Sequence, residues 1–134
     1  MTKELINPDS HYSSGRAYSK GVKFDIGDSE ILFISGQISK NENGEIVGQG
    51  DYVKQSDYIF KKLITILKEA GMSLSDLIKV NIFVTNMGEF EKVSAVRDKY
   101  LMDSKPASTA IEIGGTTTLG CDVEIDAIAI KKKS

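Results

Sequence analysis

Two carboxylates stand out on the last apolar stretch of the chain, Val123 to Ile130. Apolar and polar residues alternate there, which predicts a β-strand whose side chains two residues apart share a face. Glu124 and Asp126 therefore lie on the same face as Ile128. A carboxylate among apolar side chains is costly to desolvate unless it is hydrogen-bonded, paired or engaged in chemistry. This pair is therefore the first candidate for proton transfer to a small molecule.

A second candidate is an arginine on a predicted helix. Asn86 can cap this helix, which should run to about Met102. Arg97 falls within its apolar stripe, and Ser94 lies three residues earlier near the same face. An arginine in this position extends its stem along the core, pairs with an acid or binds an anion, and all three remain open. The stripe consists of Phe90, Val93, Arg97, Tyr100 and Leu101.

Further candidates lie in the N-terminal half. The apolar strand that begins at Ile31 runs into Ser35 and Gly36, which indicates either a β-bulge or a place where a ligand approaches the backbone. Tyr18 is the large side chain of an otherwise polar, turn-rich segment. The sequence alone leaves it open whether Tyr18 is simply an exposed loop residue.

Composition limits the function classes. The 134 residues suffice for one domain, 1–134, and 40% of them are hydrophobic and 27% charged. The net charge of −2 argues against nucleic acid as a partner. We find no metal-ligand signature, no apolar stretch near the ~20 residues of a membrane span and no signal-peptide core. With a single cysteine, these features predict a cytosolic protein without a membrane-spanning segment.

The pattern of elements predicts an α+β fold with a mixed sheet of about six strands and two helices. Two helices cannot cover both faces of such a sheet, so we expect them on one face and self-association over the other. The predicted strands are Val22–Ile26, Ile31–Ile38, a short return strand Glu45–Val47, Leu77–Val84, Ala107–Ile113 and Val123–Ile130.

The first predicted helix, Asp51 to Ala70, has no assigned chemistry. Asp51 can cap its start and Gly71 can end it. Lys62 is placed on the polar face, opposite an apolar stripe made of Val53, Phe60, Leu63, Ile64 and Leu67.

Five blocks of the chain resemble the Rid family of reactive-intermediate deaminases, also called the YjgF or L-PSP family. Tyr18–Val22 resembles the family's Tyr-x-x-Gly-Val, and Ser35–Ile38 is identical to its Ser-Gly-Gln-Ile. Asp76–Val84 is similar to its Asp-Ile-Val-Lys and Val-Phe-Val strand. Pro106–Ala107 and Val123–Ala129 resemble its Pro-Ala-Arg and Ile-Glu-Ile-Glu-Ala-Ile-Ala ends. The blocks follow the family's order over nearly the whole chain.

The resemblance implies a chorismate-mutase-like subunit in a homotrimer, with the sheets in a central barrel and ligand clefts between subunits. It implies hydrolysis of 2-imino acids, or their enamine tautomers, to 2-keto acids and ammonia, without a cofactor. The expected ligand is a small carboxylate. By the same resemblance, Glu124 is the catalytic residue that orients or activates water, Tyr18 lines the cleft, and Ser35 and Gly36 lie near the ligand.

The chain departs from the deaminases at the carboxylate clamp. After Pro-Ala the family's deaminases carry Arg-x-Cys, whereas this chain has Ser108, Thr109 and Ala110. Ser94 stands where the deaminases have an asparagine. The hydroxyl groups of Ser108 and Thr109 and the backbone N–H of Ala110 could still hold a carboxylate, more weakly than an arginine does.

Two functions remain open on these observations. One is an imine or enamine deaminase with an altered substrate range, in which Arg97 or Arg16 replaces the clamp from another direction. The other is a non-catalytic trimer that binds a small metabolite or regulates another enzyme. RNA cleavage is less favoured because of the net negative charge and the low aromatic content of 7%.

Overall fold

The computed structural model describes residues 2–12 and 15–134, and in this part of the chain it has six strands and two α-helices. One mixed sheet has the order β1-β2-β3-β6-β4-β5, in which β4 and β5 are parallel and the other neighbours antiparallel. The predicted α+β fold is confirmed. The elements are β1 Lys3–Ile6, β2 Gly21–Ile26, β3 Ser29–Ile38, α1 Tyr52–Glu69, β4 Leu77–Val84, α2 Phe90–Leu101, β5 Ala107–Glu112 and β6 Val123–Lys132.

Both helices cover the same face of the sheet, as predicted. Burial along β6 alternates strictly, so that every second side chain faces the helices. The other face, here called the open face, carries Glu124, Asp126, Ile128 and Ile130. The core between helices and sheet includes Leu32, Ile59, Phe60, Leu63, Ile66, Val80, Ile82, Val93, Val123 and Ile125.

Helix α1 has the predicted ends but a different buried stripe. Asp51 accepts a hydrogen bond from the Lys54 backbone N–H at 2.9 Å, and Gly71 ends the helix with φ +76°. The stripe that faces the sheet is centred on Ile59, Leu63 and Ile66, whereas the predicted core residues Val53 and Ile64 are exposed.

The placement of Lys62 on the polar face of α1 was wrong. It lies three residues after Ile59 and four before Ile66, a spacing that puts it on the buried side of a helix with 3.6 residues per turn. Its side chain is buried.

The strand predicted at Glu45–Val47 is also wrong, and β1 was missed. Around the Asn41–Gly44 turn the structure has an isolated bridge between Lys40 and Ile46, and the Asn41 side chain accepts from the Glu45 backbone N–H at 3.0 Å. Backbone bonds from the Asn41 N–H to the Glu45 carbonyl and from the Val47 N–H to the Ser39 carbonyl, both 2.9 Å, also hold this segment, but they do not form a regular strand ladder. Strand β1 is a four-residue edge strand in which Ile6 alone is buried, so no alternation announces it.

Helix α2 follows a 3₁₀ turn, Met87–Glu89, capped by Asn86, whose side chain accepts from the Gly88 backbone N–H at 2.9 Å. Val96 fills the buried position between Val93 and Leu101. Arg97 lies at the border of this buried face rather than in its middle, because Val93 and Val96 define the side that meets the core.

The start of β6 is held in place by a buried glutamine. Gln55 donates from its amide nitrogen to the carbonyls of Gly48 at 3.0 Å and Gly120 at 3.1 Å, and accepts from the Asp122 backbone N–H at 2.8 Å. The end of the preceding loop is therefore fixed to α1, and so is the position of Glu124 two residues later.

Candidate functional site

Glu124 occupies the open face of β6, between the neighbours Ile38 on β3 and Phe83 on β4. Its side chain is half-buried, and this burial, followed by the charge of Asp126, raises the pKa of the carboxyl above its usual range. Asp126 is held differently, since the Asn81 amide donates to it at 2.7 Å. Burial thus favours the protonated form of Glu124, which makes this carboxyl the candidate for proton transfer.

A β-bulge at Ser35 and Gly36 shapes the backbone beside Glu124. Ile34 pairs with Ala127 and Gln37 with Ile125, so β3 contains one residue more than β6 across this stretch. The Ser35 hydroxyl donates to the Ser19 carbonyl at 2.7 Å and anchors the bulge to the N-terminal loop.

A side chain at position 36 would occupy the place of the Glu124 carboxylate. A Cβ built on Gly36 would lie 2.6 Å from Oε2 and 2.8 Å from Cδ of Glu124. The carboxylate of Glu124 therefore rests against the bulge, and the absence of a side chain at Gly36 makes that position available.

A cavity of about 420 Å³ opens over this carboxylate, and we call it the Glu124 cleft. It brings together four residues that the sequence offered for the site: Tyr18, Gly36, Glu124 and the alternative clamp residue Arg16. Ser35 lies in the bulge next to it. The cleft is lined by Tyr12, Arg16, Tyr18, Lys20, Gly36, Gln37, Ile38, Lys40, Lys62, Thr117, Thr118 and Glu124.

Cations surround the cleft. The Lys20 amine lies 5.6 Å from the centroid of the Tyr18 ring, and the Lys40 amine lies 4.7 Å from that of Tyr12. Lys62 enters from α1. This arrangement of one carboxylate among several cations can bind a small anion and supply a proton-exchanging group beside it.

Five other predicted site residues lie elsewhere in the subunit. Ser108 and Ala110 on β5 pair with Val80 and Ile82, whose side chains face the helices, whereas Glu124 faces the opposite way. Strand β4 also separates β5 from β6. The remaining three are Ser94, Arg97 and Thr109.

Arg97 and Ser108 meet each other across a second depression of about 350 Å³, the Arg97 groove, which is also lined by Asp98, Leu101, Met102, Lys105 and Pro106. The Arg97 guanidinium donates to the Ser108 hydroxyl at 3.4 Å and pairs with Asp98 at 3.0 Å. Ser94 donates to the Glu91 carbonyl of its own helix, and Thr109 accepts from Lys79. Within one subunit these residues do not reach Glu124.

Comparison with known proteins identifies the family. The family model described as Endoribonuclease L-PSP matches residues 10–131. The chain belongs to the L-PSP family. A RutC family protein of Pyrococcus abyssi is 36% identical over 98% of this chain and all of the relative.

Solved L-PSP structures agree with the fold. A candidate endoribonuclease of Thermotoga maritima has a TM-score of 0.87 and 32% identity, covering 98% of this chain and 99% of that one. A Rid family protein of unknown function from Yersinia pestis has a TM-score of 0.84 and 28% identity, covering 96% and 98%. Two of the three family designations that the sequence blocks resemble, L-PSP and Rid, occur among these matches.

Two absences among the described residues bear on the site of this L-PSP protein. Residues 2–12 and 15–134 contain no cluster of three or more His, Cys, Asp or Glu side chains that could hold a metal ion. None of the helices described has the length and apolar character needed to cross a membrane. The cytosolic location stays a prediction.

Among the cleft residues that sequence reasoning missed, Lys62 and Gln37 are the two buried polar side chains. Gln37 was seen only as part of a motif, and Lys62 was assigned to solvent. The signal for Lys62 was its spacing from Ile59 and Ile66, which places it on the buried face of α1. The sequence gives no separate indication for Gln37, because the β-bulge determines on which face of β3 its side chain lies.

Proposed function

We propose that this L-PSP protein hydrolyses 2-imino acids or their enamine tautomers to 2-oxo acids and ammonia. The observation that carries the proposal is the Glu124 carboxyl, which has a raised pKa and rests against the Gly36 bulge inside a cationic cleft. A carboxyl whose pKa is raised holds a proton more readily, so it can accept a proton from water and return it.

The reaction needs little more than this. A protonated imine is already electrophilic at carbon, so a positioned water can attack it while Glu124 accepts the water's proton. The carbinolamine then receives that proton on nitrogen. The carbon–nitrogen bond breaks while Glu124 accepts the hydroxyl proton and passes it to the leaving ammonia, so a 2-oxo acid and ammonium leave. One water is consumed and no electrons are transferred.

We further propose that the working form is a homotrimer, as the family resemblance implies. The open face presents Phe24, Ile31, Phe33 and Ile128 without a helix above them, and Phe33 is 43% exposed. Neighbouring copies would cover this apolar surface. The β5 edge of one copy, with Ser108, Thr109 and Ala110, would then close the Glu124 cleft of the next.

A second function is favoured by one feature, the replacement of the deaminase Arg-x-Cys by Ser108 and Ala110. A chain without the clamp arginine could retain the cleft as a binding site for a small carboxylate and lose turnover. In that case Glu124 would tune affinity and no rate would depend on it.

An imine-trapping assay separates these two functions. Threonine dehydratase or an amino acid oxidase generates the imine in the presence of a trapping amine, and loss of trapped adduct reports hydrolysis. We expect activity in the wild type and a loss of about 10²–10⁴-fold in Glu124→Gln. Glu69→Gln, at the exposed end of α1, is the matched control and should keep full activity.

A Ser108→Arg variant tests the missing clamp in the same assay. Activity in this variant but not in the wild type would favour the binding function, with a scaffold still able to support catalysis. If neither protein hydrolyses the imine, the deaminase proposal is wrong. Sedimentation of the same samples should give about three times the chain mass of 14.6 kDa, and a monomer would contradict the trimer.

A further inference from the structure

Lys62 is a charged side chain in a buried place. Its side chain is 7% exposed, and its amine donates to the Ile38 carbonyl at 2.9 Å. An ammonium group has three protons to donate, so this bond uses one of them. Among the residues the structure describes, no carboxylate forms an ion pair with Lys62. A buried charge without an opposite charge is costly, so something must offset it.

Glu124 does not supply this opposite charge. A carboxylate that neutralised Lys62 would have a lowered pKa, whereas burial and Asp126 raise the pKa of Glu124. Lys62 shows the same lack of a partner, since burial and then Lys20 lower its pKa to about 8. Both groups behave as desolvated charges that share a cleft without pairing.

A second buried polar group in the same cleft also lacks a partner. Gln37 is 2% exposed and donates from its amide nitrogen to the Ser35 carbonyl at 3.0 Å. That bond fixes the amide orientation and leaves Oε1, which is buried and has no hydrogen-bond partner among the described residues. A buried polar atom is rarely left unpaired in a native protein, so Oε1 can accept a hydrogen bond from water or from an N–H group of a ligand in the cleft.

The charges that face Lys62 from neighbouring elements are mostly positive. Lys20 precedes β2 and Lys40 follows β3, and both lower its pKa. His11 lies within electrostatic range, and burial lowers the pKa of its ring to about 4, so it is neutral at pH 7. Cys121 acts weakly in the opposite direction. The interior of the cleft is therefore short of negative charge.

We propose that Lys62 binds the carboxylate of the substrate and so takes over the role of the missing clamp arginine. The inference rests on the proposed function for the identity of the substrate, a 2-imino acid, and it adds the residue that recognises its anionic group. The substrate carboxylate would occupy the space between Lys62 and Lys20. Its reactive carbon would then lie toward Glu124 and the Gly36 bulge, where water is activated.

The direct test is binding of a product, which needs no turnover. The probes are 2-oxobutanoate and its uncharged amide, 2-oxobutanamide, titrated calorimetrically into the full-length protein. We expect Lys62→Met to weaken the binding of 2-oxobutanoate at least tenfold and to leave the affinity for the amide within twofold of the wild type. Lys68→Met, an exposed lysine of the same helix, should change neither.

The pH dependence provides an independent signature. Because Lys62 loses its proton near pH 8, the wild-type affinity for 2-oxobutanoate should fall between pH 7 and pH 9. In Lys62→Met this fall should be absent or much smaller, although Lys20 and Lys40 remain. Lys62→Gln, whose amide can still donate a hydrogen bond, repeats the test if the methionine variant folds poorly.

Three outcomes would overturn the inference. One is unchanged 2-oxobutanoate binding in both Lys62 variants. Another is equal loss of the acid and the amide, which would make Lys62 a structural residue. The third is a wild type that binds no 2-oxo acid. The deaminase proposal can fail separately. If 2-oxobutanoate binding depends on Lys62 but no imine is hydrolysed, the deaminase function is refuted and the Lys62 site stands. If imine hydrolysis is unaffected by the Lys62 substitutions, the deaminase function stands and the role of Lys62 is refuted.

Discussion

The Glu124 cleft and the Arg97 groove lie in different parts of the subunit, and the cation in each has a different environment. In the groove, Arg97 is 25% exposed, pairs with Asp98 and lies 5.8 Å from the Phe90 ring centroid. In the cleft, Lys62 is buried and has a neutral carbonyl as its acceptor.

This difference has an energetic meaning. Exposed ion pairs contribute only about 0–1 kcal/mol because water already solvates both charges. A desolvated cation has lost that solvation, so an incoming anion gains far more from it. Sequence reasoning favours Arg97 for anion binding, but Arg97 already has the Asp98 carboxylate as its partner. Lys62 is the cation without a carboxylate partner among the described residues.

After removal of the Glu124 carboxylate itself, the largest effect should come from adding one methyl group to the cleft. In Gly36→Ala the new Cβ would lie within 2.8 Å of the Glu124 carboxylate, which is flexible enough to move away. We therefore expect stability to change by less than about 1 kcal/mol, because no backbone atom is displaced. A displaced Glu124 should lower imine hydrolysis by about 10–100-fold.

Gly114→Ala is the matched control for this prediction. Its added Cβ would meet no atom within 4 Å, and its φ is not positive. Turnover should be unchanged there, and thermal unfolding measures stability in both variants. If Gly36→Ala retains turnover within twofold, the position of Glu124 against the bulge is not what the chemistry uses.

A smaller effect should appear in stability as a function of pH. The pKa of Lys62 is about 8 in the folded protein and 10.5 without the fold, so the folded state binds fewer protons in between. Stability therefore rises with pH from about 8 to about 10.5, by as much as about 3 kcal/mol. Lys62→Met should lack this rise, while Lys68→Met should keep it.

Urea unfolding at pH 7.5, 9 and 10.5 measures the rise. The comparison of wild type and variants cancels the other lysines and tyrosines, which titrate in all of them. Parallel pH profiles for wild type and Lys62→Met would mean that the Lys62 amine is solvated, and the contrast between cleft and groove would disappear.

The sequence predicted most of the fold because most of its elements are long and periodic. Strand β6 alternates over its buried length, and α1 repeats apolar residues over 18 positions. For short elements the prediction failed in two ways: one strand was missed and another was predicted where none forms. The edge strand Lys3–Ile6 buries one side chain, and Glu45–Val47 has strand-like residues but bonds through the Asn41 turn. Such segments are decided by their neighbours rather than by their own pattern.

The candidate site was predictable in part. Glu124 could be found as a carboxylate on an apolar strand, and Gly36 and Tyr18 through the family's sequence blocks. The role of Lys62 depends on the exact rotation of α1 over the sheet, because a stripe that includes Ile64 instead of Ile59 turns Lys62 to solvent. The unpaired oxygen of Gln37 depends on the bulge, which no local pattern specifies.

The smallest effect should come from Arg97→Ala. Its partners, Asp98 and Ser108, lie at the surface, so losing them should cost less than about 1 kcal/mol in urea unfolding. Affinity for 2-oxobutanoate should stay within twofold of the wild type, in contrast to the tenfold loss in Lys62→Met. If Arg97→Ala weakens binding as strongly, the groove of one copy completes the cleft of the next, and the two regions are parts of one site. Mixing Arg97→Ala with Glu124→Gln subunits would then restore activity in the mixed trimers, because some interfaces would combine an intact Arg97 with an intact Glu124.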